Sequence, residues 1–203
     1  MGSTPVGIDM TTVIFQNGRL YADTQVTNTT VSEDGQEAMN YIWRDSKLHR
    51  MADRIFATSG CMDSIREFFD WTVAGRPCRF LRPKILSRRG QSTVIEYSAD
   101  GLIGWNYRQL GVTWRGRFTG FTWWKPVRWS PHARLWMGSG ADYAREALDL
   151  GLNPYEAICY AADRDPFTND LIQTLSLDDL GKDLEPDPDP WFGKDPAIIA
   201  RNS

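Results

Sequence analysis

Histidine is scarce in this chain, and cysteine is used sparingly. Two histidines, His49 and His132, and three widely spaced cysteines, Cys61, Cys78 and Cys159, occur in 203 residues, without a CxxC or HExxH spacing. A structural zinc or a histidine-based metal centre has little to be built from, so no metal and no cofactor is expected. An odd number of separated cysteines does not form a disulfide framework either, and a reducing, cytoplasmic setting fits best. No apolar run is long enough for a membrane span. The opening MGSTPVGID has neither the basic flank nor the apolar stretch of a signal peptide.

What is present suffices for a folded domain. Hydrophobic residues make up 41% of the chain, aromatic residues 12% and charged residues 24%, with a net charge of -3. That composition excludes wholesale disorder and lets one soluble domain fold without disulfides or metal.

Charge is unevenly spread. Arg76, Arg79, Arg82, Lys84, Arg88 and Arg89 form a basic cluster. From Gly101 to Ala141 there is no acidic residue, and basic residues such as Arg108, Arg115, Arg117, Lys125 and Arg128 alternate with Trp105, Tyr107, Trp114, Trp123, Trp124 and Trp129. This stretch reads as a β-rich sheet packed on one face with solvated arginines on the other. Cations interleaved with aromatics are also what single-stranded nucleic acid binds, but that partner is not expected here. After Asp170 the chain turns acidic and proline-punctuated (DLEPDPDPWFGKDP). Residues 178–203 read as a tail, pinned at most by Trp191 and Phe192. Residues 1–10 read as a leader and 11–177 as the folded domain.

Local signals mark several elements. Val13–Gln16 and Arg19–Ala22 flank Asn17-Gly18, the dipeptide that best tolerates two positive φ angles, which predicts a two-residue hairpin. Ile55–Thr58 predicts a strand that turns through Ser59-Gly60 into a helix, with Ser64 and Glu67 spaced as a capping box. Leu135–Met137 predicts a strand ending at Gly138-Ser139-Gly140, followed by a helix that Gly151 stops. Asn153, Pro154 and Glu156 open another helix. The Arg164–Asn169 segment breaks it and begins another strand. His49 and His132 read as surface residues, and the cysteines as small buried hydrophobes.

The ordered series MTTVIFQNGRLYADTQVT, KLHRM, RIFATSGCMDS, MGSGADYA and AADRDPFTN resembles the proteasome β-subunit superfamily of N-terminal-nucleophile hydrolases, over about residues 10 to 170. None of these short matches is specific alone; their order and spacing carry the resemblance. It implies an α+β fold, a four-layer αββα sandwich of two antiparallel sheets flanked by helices. It also implies a threonine-type peptidase acting on peptides or unfolded proteins, assembled as a homo-oligomeric ring, with an AAA+ unfoldase as a further partner and no membrane association. The alternative is a catalytically inactive subunit of the same fold, serving as an oligomeric scaffold or binding protein.

A threonine hydroxyl is a poor nucleophile until a base takes its proton, and a true N-terminal residue carries that base as its own α-amine. Thr11 could act in this way only once Met10 is removed. The resemblance implies that Lys47 sits beside the nucleophile, that Asp23 holds Lys47 in an ion pair, and that the Gly60 N–H faces the developing oxyanion. It further implies that Ser139, Asp163 and Thr168 support the terminal amine. Two departures stand out: Met10 precedes Thr11 where self-processing relatives carry glycine, and the Lys47-to-Gly60 distance is one residue short.

Each residue also has a plainer reading. Thr11 and Thr12 could simply open a strand, Asp23 end a hairpin strand, and Lys47 be a solvated surface lysine. Gly60, Gly138 and Gly140 are turn residues first. Ser139 could be an N-cap and Asp163 a helix-terminal residue.

Overall fold

The computed structural model describes residues 6–9, 11–31, 37–44, 46–76, 84–85, 92–114 and 117–180. Met10, Cys78, the arginines 79, 82, 88 and 89, and the tail beyond Leu180 with Trp191 and Phe192 lie outside them.

The chain runs β1 (Val6–Asp9), β2 (Thr12–Gln16), β3 (Arg19–Asp23), β4 (Gln25–Val31), β5 (Glu37–Arg44), β6 (Leu48–Met51), β7 (Arg54–Cys61), α1 (Met62–Val73) and β8 (Lys84–Ile85). It continues with β9 (Ser92–Ser98), β10 (Gly101–Trp114), β11 (Arg117–Trp129), β12 (Leu135–Gly138), α2 (Ala141–Asp149), α3 (Pro154–Ala162) and β13 (Ile172–Ser176), closing in a 3-10 turn at Leu177–Asp179. The fold is α+β, with three helices among the described residues and two antiparallel sheets. The larger sheet has the order β5-β4-β1-β7-β9-β10-β11-β8, with β6 also paired to β7; the smaller has the order β12-β2-β3-β13.

The β2–β3 hairpin forms as the sequence predicts. Asn17 and Gly18 have φ of 51° and 75°, and Gln16 pairs with Arg19 across the turn. Alternation along β2 then divides its side chains between two cores. Val13 and Phe15 join Leu20, Ala22, Ile55, Ala57, Ile95 and Leu102 in a cluster drawn from both sheets. Ile14 lies instead among Ala144, Ala147 and Leu148 of α2 and Ala157, Ile158 and Ala161 of α3. β7 divides in the same way, since Phe56 packs with Ile65, Phe68 and Phe69 of α1. Each such phenylalanine, withdrawn from water, contributes roughly 1.5–3 kcal/mol.

A buried carboxylate ties α1 to the sheet. Glu96 on β9 accepts from Arg54 at 2.7 Å, Arg76 at 2.8 Å and the Trp105 indole N–H at 2.6 Å. Two guanidinium groups and an indole thus satisfy a charge that would otherwise be costly in the interior.

Some local expectations need correction. β7 continues through Gly60 to Cys61, and α1 starts at once, so Ser64 lies inside the first turn instead of capping it. Its hydroxyl donates back to the Cys61 carbonyl at 2.8 Å and meets the Ser92 hydroxyl at 2.5 Å. The strand expected from 164–169 begins only at Ile172, because Asp165 holds that segment in a turn. The acidic run is not all tail: Leu177 and Leu180 pack against the shared cluster, and the Asp179 carboxylate takes the Ser176 N–H at 2.9 Å. The Asn153–Glu156 capping box does form, in both directions at 3.0 Å. His132 is exposed, but His49 is half-buried with its ring edge-on to Phe69 at 5.1 Å.

Candidate active site

Thr11 immediately precedes β2, and both Thr11 and Thr12 are 0% exposed. Pairing of Val13 with Ala22 sets a register that brings Asp23, at the end of β3, opposite Thr12. Asp23 Oδ1 accepts from the Thr11 hydroxyl and, at 2.7 Å, from the Thr12 N–H. Oδ2 accepts from the Gln25 N–H at 2.9 Å. Asp23 is therefore more than a strand end. Burial pushes its carboxyl up to about 6, against the opposing pull of hydrogen bonds from Thr11, Thr12, Gln25 and Asn169.

Lys47 lies just before β6 and is buried, which excludes a solvated surface position. Its N–H donates to Gln173 Oε1 at 3.2 Å, and its carbonyl accepts the Thr58 N–H at 3.0 Å, fixing the residue between β13 and β7. Burial lowers the pKa of its ammonium well below the ordinary lysine value.

Gly60 occupies the second-last position of β7 with φ of 120°, a conformation in which a Cβ would be strained. It pairs with Ser92 of β9 on one side and with Asp9 of β1 on the other. The backbone edge of β7 at Gly60 is thus covered by β1.

Ser139, Asp165, Thr168 and Thr12 form a continuous hydrogen-bonded chain. Ser139 Oγ donates to Asp165 Oδ2 at 2.6 Å, Thr168 Oγ1 donates to the same oxygen at 2.7 Å, and the Thr12 and Thr168 hydroxyls meet at 2.7 Å. Gly140 is the residue at the N-cap position of α2, and Ser139 is turned toward Asp165 instead. There is no room beside Gly140: a Cβ would fall on the Thr12 hydroxyl, with the Thr168 hydroxyl 2.8 Å away. At Gly138 it would fall on the Thr11 carbonyl.

Asp163 is not part of this chain. It caps the C-terminus of α3, exposed, while the chain turns back so that Asp165 is 5% exposed and Asp165 Oδ1 accepts the Phe167 N–H at 3.1 Å. Asp165, not Asp163, is the aspartate that accepts from Ser139 and Thr168. The signal was present in Asp165-Pro166-Phe167-Thr168: an aspartate before proline favours a side-chain-closed turn, and two residues separate it from the threonine it reaches. Thr12 was likewise read only as a strand former.

The arrangement brings Thr11, Asp23 and Thr168 into one buried hydrogen-bonded region through Thr12, with Lys47 and Gly60 on the flanking β6–β7 segment. In the intact chain the Thr11 nitrogen is an amide and cannot serve as a base. No family model matches this chain, and no curated protein matches it at a significant level. Among the described residues no group of three or more His, Cys, Asp or Glu could hold a metal ion, and no helix is long and apolar enough to cross a membrane.

Proposed function

We propose that this chain is a threonine-type peptidase of the proteasome β-subunit kind, blocked by its own leader, in which removal of residues 1–10 frees the Thr11 amine and hydroxyl together. One observation carries the reading: the Thr11 hydroxyl rests on the buried Asp23 carboxylate while leader residue Asp9 is paired with Gly60. Freed, the α-amine titrates near ~7.7–8.0 in a model peptide and can accept the hydroxyl proton at neutral pH. Attack on a carbonyl held against Gly60 then places the developing oxyanion at a backbone N–H, a donor worth roughly 3–4 kcal/mol in comparable sites. The Ser139–Asp165–Thr168–Thr12 chain orients the strand that carries the nucleophile.

The three apolar clusters support the finer fold reading, helix on sheet on sheet on helices, which is the four-layer αββα sandwich of that superfamily. Assembly into a homo-oligomeric ring and use of an AAA+ unfoldase belong to the same proposal. Exposed Trp123, Trp129, Leu150 and Tyr155 supply apolar surface for such contacts. The second reading, a scaffold subunit without catalysis, is favoured by the Met10–Thr11 peptide bond and the complete burial of Thr11.

The two readings separate by covalent trapping. A chain prepared with Thr11 as its first residue is treated with a peptide electrophile that acylates hydroxyls, digested, and mapped by mass spectrometry. A single adduct on Thr11 supports the peptidase. An unmodified Thr11, or labelling spread over several serines and threonines, supports the scaffold.

A further inference from the structure

The leader strand holds a second element in place. β4 and β5 pair with each other from Gln25 opposite Arg44 to Val31 opposite Glu37. In the larger sheet their order is β5-β4-β1-β7, so among the described strands this hairpin joins the rest of the sheet through β1 alone. One edge of β1 carries Val6, Gly7 and Ile8 opposite Thr29, Asn28 and Thr27; the other carries Ile8 and Asp9 opposite Cys61 and Gly60. Four leader residues thus bridge two strand edges that are not paired with each other.

The base of the hairpin is secured independently of the leader. The Thr24 N–H donates to Asn169 Oδ1 at 3.2 Å, and Gln25 Nε2 donates to the Pro166 carbonyl at 2.7 Å. Beyond β5, Ser46 Oγ donates to the Leu48 carbonyl at 2.6 Å and contacts Gln173 Oε1 at 3.2 Å. Fixed ends and a side held by one strand are the anatomy of a flap.

We infer that residues 6–9 are a clamp that docks the β4–β5 hairpin onto the edge of β7, so that loss of the leader releases the hairpin as a flap beside Gly60. The reason is backbone chemistry. Two strand edges present unsatisfied N–H and C=O groups unless a strand lies between them, and among the described strands β1 is the one that does so. The inference rests on strand order and register, and holds whether or not Thr11 is a nucleophile.

Hydrogen exchange read by mass spectrometry tests it on a Thr11→Ala background, which removes any self-cleavage. Three proteins are compared: the full chain, the chain beginning at residue 11, and a full-length Gly7→Pro/Ile8→Pro variant, whose leader lacks two of the N–H donors needed for pairing. The expected result is exchange at least ~10-fold faster across 25–31 in the last two proteins, with β2, β3 and β9 unchanged. A synthetic peptide spanning residues 4–9 should restore the slow rate in the chain beginning at residue 11. Unchanged protection across 25–31 in both altered proteins would overturn the clamp. Loss of protection in β2, β3 and β9 as well would also overturn it, because the leader would then hold the whole domain and not the hairpin.

Discussion

Ser139 and Asp165 meet at 2.6 Å, and the aspartate oxygen that receives the serine hydroxyl also receives Thr168, which in turn touches Thr12. One buried carboxylate therefore organises the end of β12, the turn after α3 and the start of β2. Asp165→Ala would leave the Thr168 hydroxyl and the Phe167 N–H without their acceptor. An unsatisfied buried group costs about 1–3 kcal/mol, so urea denaturation should show Asp165→Ala destabilised by roughly 2–4 kcal/mol. Asp163→Ala, at an exposed position, should stay within about 0.5 kcal/mol of the parent. Equal losses in the two variants would return the role to Asp163.

Crowding at Gly140 gives an independent check on the same region. A methyl group there has no space between the hydroxyls of Thr12 and Thr168. Gly140→Ala should lower stability by roughly 1–3 kcal/mol, as overpacking of a filled interior does. Gly75→Ala, whose added methyl would meet nothing within 4 Å, controls for the general cost of replacing glycine. Its φ of 74° carries a conformational cost, so the crowding appears as the excess loss at Gly140.

Asp23 should leave a signature in the pH dependence of stability. Its carboxyl titrates near 3.8 when unperturbed and is pushed up to about 6 by burial, so between those values the folded chain binds more protons than the unfolded one. Stability from this group is therefore full below about pH 4, falls as the pH rises toward 6, and is level above it. The difference between the two values corresponds to on the order of 3 kcal/mol. Denaturation midpoints of the parent relative to Asp23→Asn, measured from pH 4 to 7, should decline and then flatten. A difference independent of pH would show that Asp23 keeps its ordinary pKa in the fold.

Much of this was legible in the sequence wherever the determinant was local. Asn17-Gly18 fixes its own turn, and Asn153, Pro154 and Glu156 fix the start of α3, because the relevant backbone groups lie within a few residues. Thr11, Asp23, Lys47 and Gly60 were singled out from short ordered matches; all four are buried, and the Thr11 hydroxyl donates to Asp23. Asp163 was matched to the family's pattern, but two aspartates follow the end of α3, and only the direction of the turn decides which faces inward. The pairing of β1 with β7 joins residues some fifty positions apart, and no local pattern encodes it. The capping box at Ser64 failed for a different reason: the strand runs three residues further, to Cys61, and Ser64 sits inside the first turn with partners at Cys61 and Ser92.

Lys47 offers a test of how the site is tuned. Burial already disfavours its ammonium, so Lys47→Met, which keeps the length and drops the charge, should be well tolerated by the fold. If a cation beside the freed amine assists catalysis, the variant should lose peptide turnover by about 100-fold or more with little change in denaturation midpoint. Unaltered turnover would remove Lys47 from the catalytic set.

The central claim is that freeing Thr11 creates the nucleophile. The measurement is hydrolysis of a panel of fluorogenic peptides by three proteins: the full chain, the chain beginning at Thr11, and the same shortened chain with Thr11→Ala. The account predicts turnover only in the second, with Thr11→Ala lower by about 10³-fold or more. Turnover that survives in Thr11→Ala, or its absence from a folded chain beginning at Thr11 across the whole panel, would contradict it.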